Sequence, residues 1–348
     1  MKILLPYSTN LGKKFNHPIT TGGIEKFCHQ INDTFDDVKI LEINDIKDFK
    51  KNTKLIKDTA LKCGADIIIC NWIQASFAGM KIMDSQVPIL VVCHENSSML
   101  STLNKFYKLQ ENGHSVALVS EYQKIQYDKM AKRTNAKLVD FDFYINSSYV
   151  TGEKPKLVES IYDCCTIGRC DPRDKKPFLM KTMLKDTKIK NLLMTNTPNY
   201  KLDPICYPYY RKNKHWEDTL WDLNYDEVMN NLSKSKTFFQ TWWNEAFGIT
   251  SLESLSRGVP VIANSKNNFH ASNSIASKSS HYKNITFGSK EELIDAINSF
   301  KSIDRKEIQD MTWEKHAHIK WKKHFENCVD KTIEKFNKKT SNLNEFMV

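Results

Sequence analysis

The chain has 348 residues, 40% hydrophobic and 26% charged, with 51 Lys+Arg against 41 Asp+Glu for a formal charge of +10. Its 18 Phe, 13 Tyr and 7 Trp can fill about two domain cores, which excludes wholesale disorder. The longest apolar runs, 65–70 and 88–93, are strand-sized, so no membrane-spanning helix and no stable membrane insertion are expected.

In chain order, Lys2 to Leu5 reads as a first buried strand before Pro6, without the longer apolar region and cleavage site of a signal peptide. Gly23 to Phe35 reads as a helix with Ile24, Phe27, Cys28 and Ile31 on one face. Val38 to Ile43 is a second strand, and a lysine-rich helix covers the fifties. Asp66 to Cys70, Pro88 to Cys93 and Val116 to Val119 are short apolar strands of the kind a sheet buried on both faces requires. Around Asn146 to Lys156 the pattern breaks into a polar linker. A second series follows: strand Tyr162 to Gly168, helix Pro177 to Leu184, strand Lys190 to Thr195, helix Asp226 to Lys234, then strands Lys236 to Gln240 and Val259 to Ala263. A long charged helical stretch, Ser302 to about Lys338, is interrupted by Trp313 and Trp321. Alternation of this kind predicts an α/β fold of two Rossmann-like, doubly wound halves with a cleft between them. The nine cysteines are an odd number and form no CxxC pair or zinc spacing, so reduced thiols and a cytoplasmic location are expected.

The most informative stretch is 243–263, WNEAFGITSLESLSRGVPVIA. A helix beginning near Gly248 would present its first N–H groups and positive dipole end to a phosphate, and glycine there allows close backbone approach. Glu245 stands just before that helix and Glu253 one to two turns within it, so one can contact a sugar while the other takes a ribose diol. Gly258 and Pro260 then end the helix and start a strand. The alternative is an ordinary amphipathic helix with two surface glutamates.

Glu-x7-Glu followed by Gly-Val-Pro-Val-Ile-Ala resembles the signature of the family-4 retaining glycosyltransferases, which have the GT-B fold. The resemblance implies an N-terminal acceptor-side domain at 1–150, a donor domain at 151–305, and a helical segment at 306–348 that returns to the first domain, its tryptophans packing the seam. By the same resemblance, Phe247, Gly248, Ile249, Thr250 and Glu253 bind the donor, and Glu245 is catalytic. Arg169, after Ile167-Gly168, and Lys175 look like the family's basic pair, which binds the donor diphosphate and stabilises the leaving group; Lys176 is the substitute if the loop register differs by one. Gly22 and Gly23, within Thr21 to Phe27, look like the glycine loop that approaches the donor phosphates, and His94 like the histidine beside the donor sugar. Ser120-Glu121 also fits the family pattern. A UDP-sugar is the expected donor, with no cofactor and no metal required. The Asp140-Phe141-Asp142 string satisfies the metal-binding motif of the other glycosyltransferase architecture, but its place within an alternating stretch marks it as coincidence.

The acceptor has a separate clue. TGGIEKF, IIICNW and HENSSMLS look like the corresponding parts of T-even phage DNA α-glucosyltransferases, which implies 5-hydroxymethylcytosine in duplex DNA as acceptor, reached by base flipping. Glu95 is then a candidate for orienting or deprotonating the hydroxymethyl group, and the location would be host cytoplasm. From Arg173 to Lys214 there are 11 Lys/Arg interleaved with Tyr200, Tyr207, Tyr209, Tyr210 and Trp216, a composition that suits nucleic acid. Lys176, Arg211, Lys212 and Lys214 are the expected DNA contacts; the alternative is a tyrosine-rich loop packed on a solvated face. The competing acceptor is a cell-envelope polysaccharide or lipopolysaccharide. The resemblance implies transfer with retention of anomeric configuration.

Overall fold

The computed structural model describes residues 1–7, 15, 23–43, 48–71, 84–94, 100–135, 137, 139–173, 175–198, 204–242, 245–265 and 270–345. Gly22 and Glu95 lie outside them. The chain divides into two compact units: Met1–Tyr149 with His318–Val348, and Val150–Ala317.

In the first unit six parallel strands lie in the order β2-β1-β3-β4-β5-β6. They are β1 (Ile3–Tyr7), β2 (Val38–Glu42), β3 (Ile67–Asn71), β4 (Ile89–Cys93), β5 (Ser115–Leu118) and β6 (Phe143–Tyr144). Residues of β1, β3 and β4 are buried throughout, because helices cover both faces of a parallel sheet. Strand β1 runs past Pro6, where the sequence suggested a stop. Its ladder with β3 ends at Leu4, so the missing N–H of Pro6 falls where only β2 still pairs. The helices are α1 (Gly23–Thr34), α2 (Phe49–Cys63), α3 (Leu100–Glu111), α4 (Glu121–Thr134) and, from the far end of the chain, α12 (His318–Glu345). Ser120 resolves as the N-cap of α4, accepting the Gln123 N–H. Leu4, Ile68, Val91, Phe106 and Tyr127 belong to this unit's core.

The second unit has the order β12-β11-β10-β7-β8-β9, again all parallel. Its strands are β7 (Cys164–Ile167), β8 (Asn191–Thr195), β9 (Thr219–Trp221), β10 (Phe238–Gln240), β11 (Val261–Ser265) and β12 (Tyr282–Thr286). Its helices are α5 (Leu179–Leu184), α6 (Cys206–Asn213), α7 (Tyr225–Ser233), α8 (Ile249–Leu255), α9 (Ala271–Ile275), α10 (Lys290–Ser299) and α11 (Arg305–Lys315). Phe178, Leu193, Phe239, Ile262 and Ile297 lie in its core. Successive strands run outward from β7 in one direction and from β10 in the other. The switch point between those two neighbours is where open α/β sheets bind ligands, beyond the carboxyl ends of the strands.

The helical stretch from 302 is two helices, and they belong to different units. The break falls at His316–Ala317, where Ala317 bridges Val150 and the His316 carbonyl accepts the Val150 N–H at 2.9 Å. The segment expected at 306–348 is therefore divided: α11 belongs to the second unit and α12 to the first. The tryptophans divide likewise, Trp313 to the second unit and Trp321 to the first. The Trp313 indole N–H donates to the Ser256 carbonyl, and that of Trp321 to the Asn146 carbonyl.

Arg305 opens α11 and donates to the carbonyls of Gly258, Arg257, Ser233 and Val158 and to the Ser160 hydroxyl. The close approach dictates the glycine at 258: its φ is +71°, and a Cβ there would stand 2.3 Å from the Arg305 carbonyl oxygen. Among the described residues no helix is long and apolar enough to cross a membrane.

Candidate active site

Two loops meet at the switch point of the second sheet. The first leaves β7 through Gly168, whose N–H donates to the Met194 carbonyl at 3.1 Å, and passes the exposed Arg169. Buried Asp171 then organises a tight turn: its carboxylate accepts the Arg173 N–H at 2.8 Å and its carbonyl the Lys176 N–H at 2.8 Å. The turn brings Lys175 back across the strand end. A Cβ on Gly168 would lie 3.2 Å from Lys175 Cβ, so glycine is what lets the lysine fold over this position.

The second loop leaves β10 through Gln240, Thr241 and Trp242 and returns at Glu245. Lys175 Nζ pairs with Glu245 Oε2 at 2.9 Å and lies 5.8 Å from the Trp242 ring centroid. Thr241 ties the loops together by donating its hydroxyl to the Lys175 carbonyl at 2.5 Å. Burial pushes the Glu245 carboxyl up most strongly, but the Lys175 ammonium, His270 and the Ala246 N–H together hold the group below the usual carboxylate range. A carboxylate and an ammonium thus stand paired at the strand ends.

Supporting contacts fix the second loop. The Asn264 amide donates to the Thr241 carbonyl at 3.0 Å. Buried His270 accepts the Ser272 N–H at Nδ1, which leaves Nε2 to donate to the Trp242 carbonyl at 3.1 Å. Burial depresses this imidazole to about 4, so it stays neutral. Gln240 sends Nε2 toward Glu245 Oε2 at 3.5 Å, while its Oε1 is buried with no partner among the described residues. Sequence reasoning missed Gln240, Trp242 and His270. The signal for Gln240 is a lone amide closing an apolar strand in Phe238-Phe239-Gln240.

Gly248 sits where the sequence predicts, at the N-cap of α8 with φ +89°. A Cβ there would stand 3.3 Å from Ser251 Oγ and 3.4 Å from Glu245 Cγ, so the position suits glycine twice over. Phe247 is buried behind it, and Ile249 and Thr250 form the first turn. Glu253, further along α8, accepts the Tyr225 hydroxyl at 3.0 Å.

The expected acceptor residues are not gathered. Lys176 adopts φ +43° and turns its ammonium over the Phe287 ring at 5.1 Å, away from Glu245. Arg211, Lys212 and Lys214 lie at the carboxyl end of α6, which runs back toward the amino end of the next strand, β9. Lys212 there lines a cavity of about 590 Å³ with Lys181, Asn191 and Trp216, at the opposite end of the sheet from Lys175. Buried Lys181 donates to the Asn191 and Glu217 carbonyls, closing that end of the sheet. Two of the interleaved aromatics pack inward, Tyr209 against Phe178 at 5.3 Å and Tyr210 against Trp221 at 5.0 Å, while Tyr200 lies outside the described residues.

In the first unit, His94 follows β4 and both its nitrogens are engaged. The Asn71 amide donates to Cys28 Sγ, so Asn71 Oδ1 accepts from His94 Nε2 at 2.9 Å, and Nδ1 accepts the Ser147 hydroxyl at 3.1 Å. The Phe27 ring meets the imidazole edge-on, 4.8 Å between centroids. Burial depresses His94 to about 3, which makes it a neutral imidazole. Gly23 opens α1, the helix that also carries Phe27 and Cys28. Asp142 holds structure: its carboxylate accepts the Val116 N–H at 3.0 Å, the Gln110 amide at 2.9 Å and the Lys335 ammonium at 2.6 Å. Among the described residues no group of three or more His, Cys, Asp or Glu is placed to hold a metal ion.

No protein-family model matches the chain, and no curated protein does. Solved structures match over nearly its whole length. The apo lipopolysaccharide outer core galactosyltransferase WaaB is 15% identical, with a TM-score of 0.65 over 94% of this chain and 99% of that one. A glycosyltransferase from Rickettsia africae is 14% identical, with a TM-score of 0.69 over 95% and 98%. HepE from Anabaena in complex with UDP-glucose is 13% identical, with a TM-score of 0.59 over 99% and 100%. Each of the two units carries its own parallel six-stranded sheet, and the likeness spans both: the chain has the GT-B fold.

Proposed function

We propose that the chain is a retaining glycosyltransferase whose donor, a UDP-sugar, is bound by the second unit. The observation that carries this reading is the Lys175–Glu245 pair at the switch point of that unit's sheet, beside Gly248. A diphosphate entering there competes with Glu245 for the Lys175 ammonium and meets the exposed Arg169 guanidinium. Glu245, released from the pair, takes a hydroxyl of the sugar. As the glycosidic bond breaks, negative charge grows on the leaving diphosphate, and Arg169 and Lys175 stabilise it more in the transition state than in the ground state. The acceptor hydroxyl attacks on the face the diphosphate leaves, and the diphosphate takes its proton. Phe247, Gly248, Ile249 and Thr250 shape the phosphate seat, and Glu253 takes the ribose. Gly22, Gly23, His94 and Glu95 are assigned to the first unit's part of the reaction on the resemblance alone. HepE, crystallised with UDP-glucose, supports the donor class.

Two acceptors are supported by separate observations. The segments TGGIEKF, IIICNW and HENSSMLS support 5-hydroxymethylcytosine in duplex DNA. The likeness to a lipopolysaccharide galactosyltransferase supports an envelope glycan. The dispersal of Lys176 and Arg211, Lys212 and Lys214 to different places on the second unit removes one argument for DNA and leaves the segments as its support. The test is to incubate the protein with a panel of UDP-sugars and three acceptors: duplex DNA with 5-hydroxymethylcytosine, the same DNA without it, and lipopolysaccharide core oligosaccharide. Mass spectrometry of each product then identifies acceptor and sugar together. Failure to bind or turn over any donor in the panel overturns the donor reading itself.

A further inference from the structure

Tyr225 combines three properties in one side chain. It is the first residue of α7, on a start fixed by a full capping box: Asn224 Oδ1 accepts the Glu227 N–H at 3.0 Å, and Glu227 Oε2 accepts the Asn224 N–H at 2.8 Å. Its hydroxyl is tied to Glu253 Oε1 at 3.0 Å. Yet the residue is 56% exposed, and among the described large hydrophobic residues only Ile319, at 70%, is more so. A ring held at both ends with its body in water is costly to leave bare and cheap to cover, because it has little freedom left to lose.

The neighbours say what would cover it. Helix α7 begins at the carboxyl end of the sheet, the same end as Arg169, Lys175 and Gly248. Glu253, which the ring reaches, is the carboxylate assigned above to the ribose. Arg257, one turn further along, holds the Glu253 backbone carbonyl at 3.2 Å. In a nucleotide the base is joined to the ribose, so a ribose on Glu253 brings the base within reach of the Tyr225 ring.

We propose that the nucleobase of the donor stacks on the Tyr225 ring, and that the Tyr225 hydroxyl hands Glu253 Oε1 over to the ribose as the nucleotide enters. The inference rests on the reading of the second unit as a nucleotide-sugar site. The exchange replaces one O–H donor on the carboxylate by another, so Glu253 is solvated or hydrogen-bonded throughout. Stacking is tolerant of base identity, because every base has a π-face. Tyr225 therefore supplies affinity for a nucleotide in general rather than for uridine in particular.

The experiment measures dissociation constants for UDP and for inorganic pyrophosphate with the unmodified chain, Tyr225→Phe and Tyr225→Ala. Tyr225→Ala is expected to weaken UDP by about 5- to 100-fold and leave pyrophosphate within twofold. Tyr225→Phe keeps the ring and is expected to bind UDP within threefold of the unmodified chain. Equal losses of UDP in the two variants would mean that only the hydroxyl matters, through Glu253, and would overturn the stacking. Unchanged UDP affinity in Tyr225→Ala would overturn it as well. Absence of nucleotide binding by the unmodified chain, tested with UDP, GDP and ADP, would instead bring down the donor-site reading and this inference with it.

Discussion

His94 and Glu245 are both polar side chains placed just beyond the carboxyl end of a parallel strand, and both were singled out from sequence as catalytic. Their surroundings differ in kind. His94 is a neutral imidazole with one nitrogen committed to Asn71 and the other to Ser147, a closed set of hydrogen bonds. Glu245 is charged, and its partner is the half-buried ammonium of Lys175, which in the proposed site a phosphate would draw away. Position at a strand end is therefore insufficient evidence for a reacting group. What distinguishes the two is whether the existing partner can be exchanged for a ligand.

The sharpest way to break this contrast is to remove the carboxylate of the exchangeable pair or the guanidinium proposed to act beside it. Glu245→Ala or Arg169→Ala is expected to lower turnover on the order of 100-fold or more, measured as release of UDP from the active donor. Activity within threefold of the parent would remove the basis for the contrast. Gly168→Ala tests the same pair by geometry: its Cβ would crowd Lys175, and a rise of about tenfold in donor KM with an unchanged melting temperature is expected. An unchanged KM would mean the lysine finds its place without the glycine.

The neutral imidazoles lead to a pH prediction. His94, His270 and His316 are depressed by burial to about 3, 4 and 4, below the value of about 6.5 in an unfolded chain. Between those limits the unfolded chain binds protons that the folded chain does not, so stability falls as pH drops from 6.5 toward 4. Each histidine adds up to about 1.4 kcal/mol per pH unit to that slope. Denaturant titrations across the interval check it, and a flat profile would contradict the buried, neutral state of His94. The smallest effect is expected for Ser147→Ala, which removes one hydrogen bond of His94: about 1 kcal/mol of stability and less than threefold in turnover. A large loss of turnover would move His94 to the reacting side of the comparison.

How much of this was legible beforehand follows from the length scale of each signal. The central strands are continuous apolar runs, and the segment from Glu245 to Ala263 carries glycines and carboxylates at fixed spacing, so both could be read. Strands β6 and β9, of two and three residues, are too short to leave a pattern. The break at His316–Ala317 is hidden because helical periodicity continues on both sides; its bonding partner there is Val150, far away in sequence. The run of basic residues from Arg173 to Lys214 looked like one patch, but a β-α-β path distributes it over opposite ends of a sheet. His270 and Tyr225 became visible only through what they touch, Trp242 and Glu253.

The division of the chain has a consequence for the order in which the protein is completed on the ribosome. The second unit is continuous, and its last fasteners lie together near its end: Arg305 gathers the turn after α8, the end of α7 and the segment at 158–160, Trp313 holds the Ser256 carbonyl, and the His316 carbonyl takes the Val150 N–H. The first unit is interrupted. The Asn146 carbonyl waits for the Trp321 indole and the Asp142 carboxylate for the Lys335 ammonium, both supplied by α12. The half that emerges first is thus the half that is finished last, after its younger neighbour is already whole.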